Sequence, residues 1–298
     1  MEGESRRQFA FEELLFLFRT LESADVPCVL MGGQAANFWA LRYAATEPAL
    51  REIEAVFPFV SKDVDFQGSR AAAIGFARAL GSKAEVPDFR HAFGNLMAGK
   101  FSIGHEGSAL SVEVLRKVPG LTSAELLRLT TVEVVGEHSV RTLNPLGVML
   151  AKTWNVVNIT KEGRHDAEQL LTMVPCVRAY IRQFLSPEQA NPHAIRAGLN
   201  LIKALLAFAE LPQAAKAAAR CGIDWSQALP HRLIGESTAP ELVRFRELRL
   251  PTWLARVAGY ARAQPVEGTL SRLLAILARH AEPPCVRYAL PAHNLSPR

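Results

Sequence analysis

The apolar pattern of this chain changes character once, at Asn144-Pro145. Before that point, short runs alternate apolar and polar residues between turn signals, the period of a half-buried strand. After it, Ala, Leu, Arg and Gln dominate, and residues 146–282 have helical composition almost throughout. Pro145 suits the first turn of a helix, where its missing N–H costs nothing. The chain is therefore expected to be α+β. A domain over 1–143 would hold a small mixed sheet flanked by helices, and an all-α C-terminal domain would follow over 144–298. At 298 residues, 49% hydrophobic and 21% charged, the chain can bury a sizeable core, which excludes general disorder. No internal repeat is evident.

Within the first half, residues 8–24 carry Phe9, Phe11, Leu14, Leu15, Phe18 and Leu21 at helical spacing and predict an amphipathic opening helix. Residues 27–31 are a short apolar run ending at Gly32-Gly33, read as a buried strand entering a tight turn, with a helix from Gln34 to Tyr43. Residues 46–60 predict a loop with a short helix. Residues 62–67 alternate as a strand ended by Gly68, and 70–81 is Ala-rich and helical. Further strands are expected at about 97–103, 109–115, 131–135 and 138–142. The last dozen residues read as a loosely held tail.

Three features in this half carry chemistry. A Gly pair before a helix lets backbone approach a phosphate, and the helix N-terminus offers N–H donors and the positive end of its dipole. Asp63 and Asp65 are two apart on a strand, so both face one way while Val64 and Phe66 face the core. Glu113 sits between Val112 and Val114 in the same kind of setting. If its strand lies beside the first, three carboxylates converge. Their mutual repulsion then calls for a cation, and oxygen-only ligands favour magnesium. Two such ions can hold a nucleoside triphosphate and activate an attacking hydroxyl. Glu133, on the 131–135 strand, has the same apolar setting and competes with Glu113 for the third position. Glu113 is preferred because it lies on the first long alternating strand after the Ala-rich helix.

Other candidates have plain readings beside functional ones. Lys62 falls on the side of the strand opposite both aspartates and is left out of the site. Gln34 and Asn37, one helical turn apart, could touch a sugar or base, or simply cap or coat the helix. Trp39, Trp154, Trp225 and Trp253 read as core anchors, and the scattered histidines as structural or surface groups. Arginines from Arg244 to Arg262 form either a solvated face or a nucleic-acid surface. The excess of 34 basic over 29 acidic residues is a mild preference for anionic partners. Cys28, Cys176, Cys221 and Cys285 show no zinc or disulfide spacing, so reduced thiols in a cytoplasmic protein are expected. The opening residues do not read as a secretory leader, and no stretch is long and apolar enough to span a membrane.

The order hydrophobic-Gly-Gly, Asp-x-Asp, then a lone acid on a later strand resembles the nucleotidyltransferase superfamily of the DNA polymerase β-like fold. The resemblance continues through Lys152 and Arg164-His165-Asp166, and is similar to the AbiEii and MenT-type toxin nucleotidyltransferases. It covers roughly residues 27–170. It implies that Asp63, Asp65 and Glu113 hold two magnesium ions and that Gly32 and Gly33 cradle the phosphates. Ser61 keeps an expected small hydroxyl. Lys152 would contact the triphosphate, and Asp166 would assist or position the catalytic groups. From the residues alone, Lys152 could equally be a solvated helix residue, and Asp166 a complement to a helix dipole. His165 and Phe59 depart from the family pattern, where lysine and arginine are more usual. The resemblance implies transfer of a nucleotidyl group to an acceptor hydroxyl, with the 3′ end of tRNA as the acceptor the family suggests, a toxin-like role and a cognate antitoxin. Two rivals stand: a small-molecule transferase of the aminoglycoside type, and a degenerate binding module of the same fold.

Overall fold

The computed structural model describes residues 7–88, 96–159, 163–186, 191–258 and 267–284. The expected tail and Cys285 lie outside the described residues. The architecture is α+β. Among the described residues eight strands run in chain order as β1 (Phe9–Ala10), β2 (Val29–Met31), β3 (Val60–Ser61), β4 (Asp63–Gln67), β5 (Met97–His105), β6 (Ser108–Leu115), β7 (Thr130–Val135) and β8 (His138–Leu143). Six of them form a mixed sheet in the order β5-β6-β4-β2-β8-β7, and β1 pairs with β3 separately.

The helices that matter for the site are α1 (Leu15–Ser23), α2 (Gly32–Tyr43), α3 (Pro48–Val56), α4 (Arg70–Ala79) and α5 (Ser123–Leu129), then α6 (Pro145–Asn158), α7 (Asp166–Leu185) and α8 (Pro192–Ala209). Five more follow among the described residues: α9 (Pro212–Cys221), α10 (His231–Glu236), α11 (Pro240–Leu248), α12 (Leu250–Val257) and α13 (Gly268–Arg279). The sheet ends at Leu143, and α6 begins at Pro145 with Asn144 as its cap, the Oδ1 accepting from Gly147 N at 2.9 Å.

Alternation on β4 sorts its side chains cleanly. Val64 and Phe66 are fully buried. Phe66 meets Phe18 of α1 at 6.1 Å and Phe76 of α4 at 5.3 Å between ring centroids, so this face packs on α1 and α4. Asp63 and Asp65 take the other face, where α2 begins. Apart from Arg42 and Leu41, nearly every residue of α2 from Gly33 on is buried, as expected of a helix enclosed on all sides. Trp39 fixes it to the sheet end by donating from Nε1 to Leu143 O at 2.7 Å. On its far side lies α7, and Trp39 meets Tyr180 edge-on at 5.5 Å.

Several expectations need correction. The opening segment is not one helix, because Phe9 and Ala10 pair with Ser61 and Val60 before a 3-10 turn leads into α1. Period alone could not separate these, since the apolar residues are buried in both conformations. The helix α5 was not anticipated; its capping box between Thr122 and Glu125 was the available signal. Gln34 and Asn37 are buried and bonded inward, Gln34 Nε2 to Phe9 O at 2.9 Å and Asn37 Nδ2 to Gln34 Oε1 at 3.2 Å. Trp154 is only half-buried, its side chain closing over Gly120. The described cysteines Cys28, Cys176 and Cys221 are buried free thiols. Among the described residues no helix is long and apolar enough to cross a membrane.

Candidate active site

Strand pairing assembles the acidic row. β4 runs parallel to β6, with Asp65 opposite Glu113 and Asp63 opposite Ser111. On its other side β4 is antiparallel to β2, and Met31 pairs with Asp65. The residue after Met31 is Gly32, the first of α2, so the helix starts directly beside the aspartate. Gly32 has φ +69°, and a Cβ there would lie 2.1 Å from Asp65 Oδ2. Only glycine fits that place. A Cβ on Gly33 would sit 2.9 Å from Gln169 Nε2 and 3.0 Å from Ser61 Oγ. The cleft so formed is lined by Gly33, Ser61, Asp63, Asp65, Glu113, Lys152 and Asp166, along with Lys62, Arg164, His165 and Gln169.

Glu133 is excluded from this cleft by topology. It lies on β7 at the opposite edge of the sheet and pairs with Arg42 at 2.8 Å. Lys62 lines the cleft after all. It occupies a bend between β3 and β4, so strand alternation does not govern its side chain.

The helices supply a second charged group. Lys152 of α6 and Asp166 at the start of α7 are both buried and meet at 2.8 Å through Nζ and Oδ1. Asn155 Nδ2 donates to the same Oδ1 at 3.0 Å, and Arg164 Nε to Oδ2 at 2.5 Å. Burial alone would raise the Asp166 carboxyl, but Lys152, Arg164 and Asn155 outweigh it and hold it well below the usual range. Asp65 goes the other way. Burial pushes it up to about 6, with Glu113 and Asp63 adding to the rise and the Lys152 ammonium opposing it. A partly buried carboxylate beside two others is the arrangement that a bound cation relieves.

Two observations bear on whether a divalent ion fits. Asp63 Oδ1 is buried without a hydrogen-bond partner among the described residues, and oxygen donors on Asp63, Asp65 and Glu113 share one face of adjacent strands. That donor set suits a hard cation. Glu113, however, is held by Lys100 of β5, Nζ to Oε1 at 2.6 Å. Among the described residues, no three His, Cys, Asp or Glu side chains converge closely enough to form a ready ligand set.

No protein-family model matches the chain. No curated protein matches it either. Among solved structures, the chain is similar to an antigenic nucleotidyltransferase-like protein from Paracoccidioides brasiliensis. The two share 13% identity over 71% of this chain and 94% of that one, with a TM-score of 0.37. A likeness of that degree fixes neither the function nor the site, which stands on its own geometry.

Sequence reading gave no role to three groups: Arg164 and Gln169 in the cleft, and Lys100 beside Glu113. Arg164 neighbours Asp166 in sequence, and Gln169 lies three residues beyond it, on the same face of α7. That spacing was a usable signal. Lys100 had none, because only the pairing of β5 with β6 brings it opposite Glu113.

Proposed function

We propose that the chain is a magnesium-dependent nucleotidyltransferase that moves a nucleotidyl group from a nucleoside triphosphate to an acceptor hydroxyl. The observation carrying this reading is the contact of Gly32 with Asp65: a helix N-terminus opens against a carboxylate that is in register with a second acid. Helix N-termini bind phosphate, and paired acids bind the cation that accompanies it. Asp63 and Asp65 would hold both ions, and Glu113 would join them at one. Divalent ions bound there supply positive charge to the phosphate oxygens and make the acceptor hydroxyl more acidic.

The residues of the chain divide the remaining work. Gly32 and Gly33 admit the β and γ phosphates to the backbone of α2, with Ser61 beside them. Lys152 sets the positive potential behind Asp65, and Asp166 holds Lys152 in place. The acceptor oxygen bonds to the α-phosphorus, the bond to the bridging oxygen breaks, and pyrophosphate leaves. Glu113 takes the hydroxyl proton.

On this reading the acceptor is RNA, with the 3′ end of tRNA as the first candidate, and the helices after Leu143 bind it. Lys62 and Arg164 at the cleft favour an anionic acceptor over the cationic one of an aminoglycoside-type enzyme. A toxin-like role in the cytoplasm, restrained by a cognate antitoxin, completes the proposal. A second reading, a degenerate binding module, has one observation in its favour: Glu113 is engaged by Lys100.

Incubation with each labelled nucleoside triphosphate, magnesium and total tRNA tests the proposal, with an Asp63→Ala/Asp65→Ala control. Label passing to RNA with the wild type alone supports it. Triphosphate binding without transfer points to another acceptor, and absence of binding favours the degenerate module.

A further inference from the structure

Lys100 has no part in the chemistry assigned above, yet it stands in the same row as the acids. Across β4, β6 and β5 the register reads Asp65, Glu113, Lys100. Its backbone is pinned on the far side by Glu85, which donates to Lys100 O at 2.7 Å and accepts from Lys100 N at 2.8 Å. The main chain is therefore fixed, and the flexible part is the four-carbon stem. The ammonium reaches back to Glu113 Oε1 at 2.6 Å, with 39% of the Lys100 side chain and 25% of the Glu113 side chain exposed. An ion pair this open to water is weak enough to exchange.

The consequence is competition. Three neighbouring carboxylates need positive charge whether or not a metal is bound. On the helical side the buried Lys152 supplies it, tied down by Asp166. On the β5 side Lys100 supplies it and occupies an oxygen of Glu113. With Lys100 in that place, one Glu113 oxygen is already engaged by an ammonium.

We infer that Lys100 is a placeholder cation: it holds Glu113 until a divalent ion binds, and it must release Glu113 for the third acid to become a ligand. The inference rests on the reading of Asp63, Asp65 and Glu113 as a metal site. Lys100 is a positioning residue in this scheme, acting through Glu113. It raises the metal concentration the site requires and keeps the acidic row compact before the ion arrives.

Manganese binding to the full chain, without nucleotide and read by electron paramagnetic resonance and by thermal shift, tests this. Lys100→Met should bind manganese roughly two- to fivefold more tightly than wild type, the scale of one open ion pair. Lys100→Arg, which restores the charge, should return to the wild-type value. The gain should vanish in a Glu113→Gln background, because the effect passes through that carboxylate. Lys100→Gln serves if the methionine variant does not fold. Equal or weaker manganese binding by the neutral variants, in a protein whose wild type binds manganese with a triphosphate, overturns the inference and leaves the metal site standing. Lack of manganese binding by every variant, with or without a triphosphate, removes the metal site and the inference together.

Discussion

The Cα of Gly32 abuts the carboxylate of Asp65, so closely that a Cβ on Gly32 would come within 2.1 Å of Oδ2. Two adjacent strands, β2 and β4, hold the pair together through the match of Met31 with Asp65. The first testable consequence is an asymmetry between neighbouring glycines. Gly32→Ala meets both a positive φ and a carboxylate, so it should lower stability by about 2 kcal/mol or more and abolish transfer. Gly33→Ala meets chiefly the end of Gln169, a flexible side chain that can turn aside. It should keep the fold and lose only part of the activity. Thermal denaturation and the transfer assay, run on both variants, measure the difference.

Asp65 should make the protein less stable as pH rises. Its folded value of about 6 lies above the ordinary 3.8, so the folded state binds the proton more tightly than the unfolded one. The cost is absent below about pH 4 and complete above about pH 6. A shift of this size corresponds to ~3 kcal/mol, and the opening of the cleft to water reduces it to on the order of 2 kcal/mol. Without divalent ions, Asp65→Asn should therefore be more stable than wild type at pH 7.5, and equal to it near pH 4. Urea denaturation at the two pH values decides this, and a gap of the same size at both would contradict it.

Asp166 has the opposite sign. Its carboxyl is held below the ordinary range, so its stabilising contribution is present above about pH 4 and fades as pH falls further. Asp166→Ala leaves Lys152 buried without its carboxylate, which should cost about 3–5 kcal/mol at pH 7. The double change Lys152→Met/Asp166→Leu should recover much of that stability while remaining inactive. Chemical denaturation of the single and double variants provides the comparison.

A second buried charge separates structural from surface ion pairs. Glu47, ahead of α3, meets Arg178 of α7 at 2.7 Å with both side chains almost fully buried. Glu47→Ala should cost about 3–5 kcal/mol, because the buried Arg178 guanidinium is left without its carboxylate. The exposed pair of Arg256 with Glu210, at 3.0 Å, should be worth within ~0.5 kcal/mol. Arg256→Ala is the control in the same denaturation series.

Local pattern made much of the site legible. The alternation over Asp63 to Gln67 placed two acids on one face and two apolar residues on the other, and β4 has that arrangement. The Gly pair after an apolar run marked the start of α2, though as a turn and not as the first residues of the helix itself. Lys62 was misplaced because alternation was extended one residue too far, across a bend. The arginines after Arg244 looked alike in sequence, yet Arg246 caps backbone carbonyls of Gly235 and Ile234 while Arg256 pairs with Glu210. Arg262 lies outside the described residues.

What the sequence determined by itself is what short-range sterics and periodicity control. These are the strand bearing Asp63 and Asp65, the glycines that precede a helix, and the change to helices at Pro145. Tertiary structure decided which distant residues meet. Glu113 and Glu133 have the same local setting, and only the strand order puts one beside Asp65 and the other at the far edge. Lys100 faces Glu113 through strand register, and Lys152 reaches Asp166 through the packing of α6 on α7. Strand order and register follow from burying one face of each strand against particular neighbours, and that choice is made by the whole core at once.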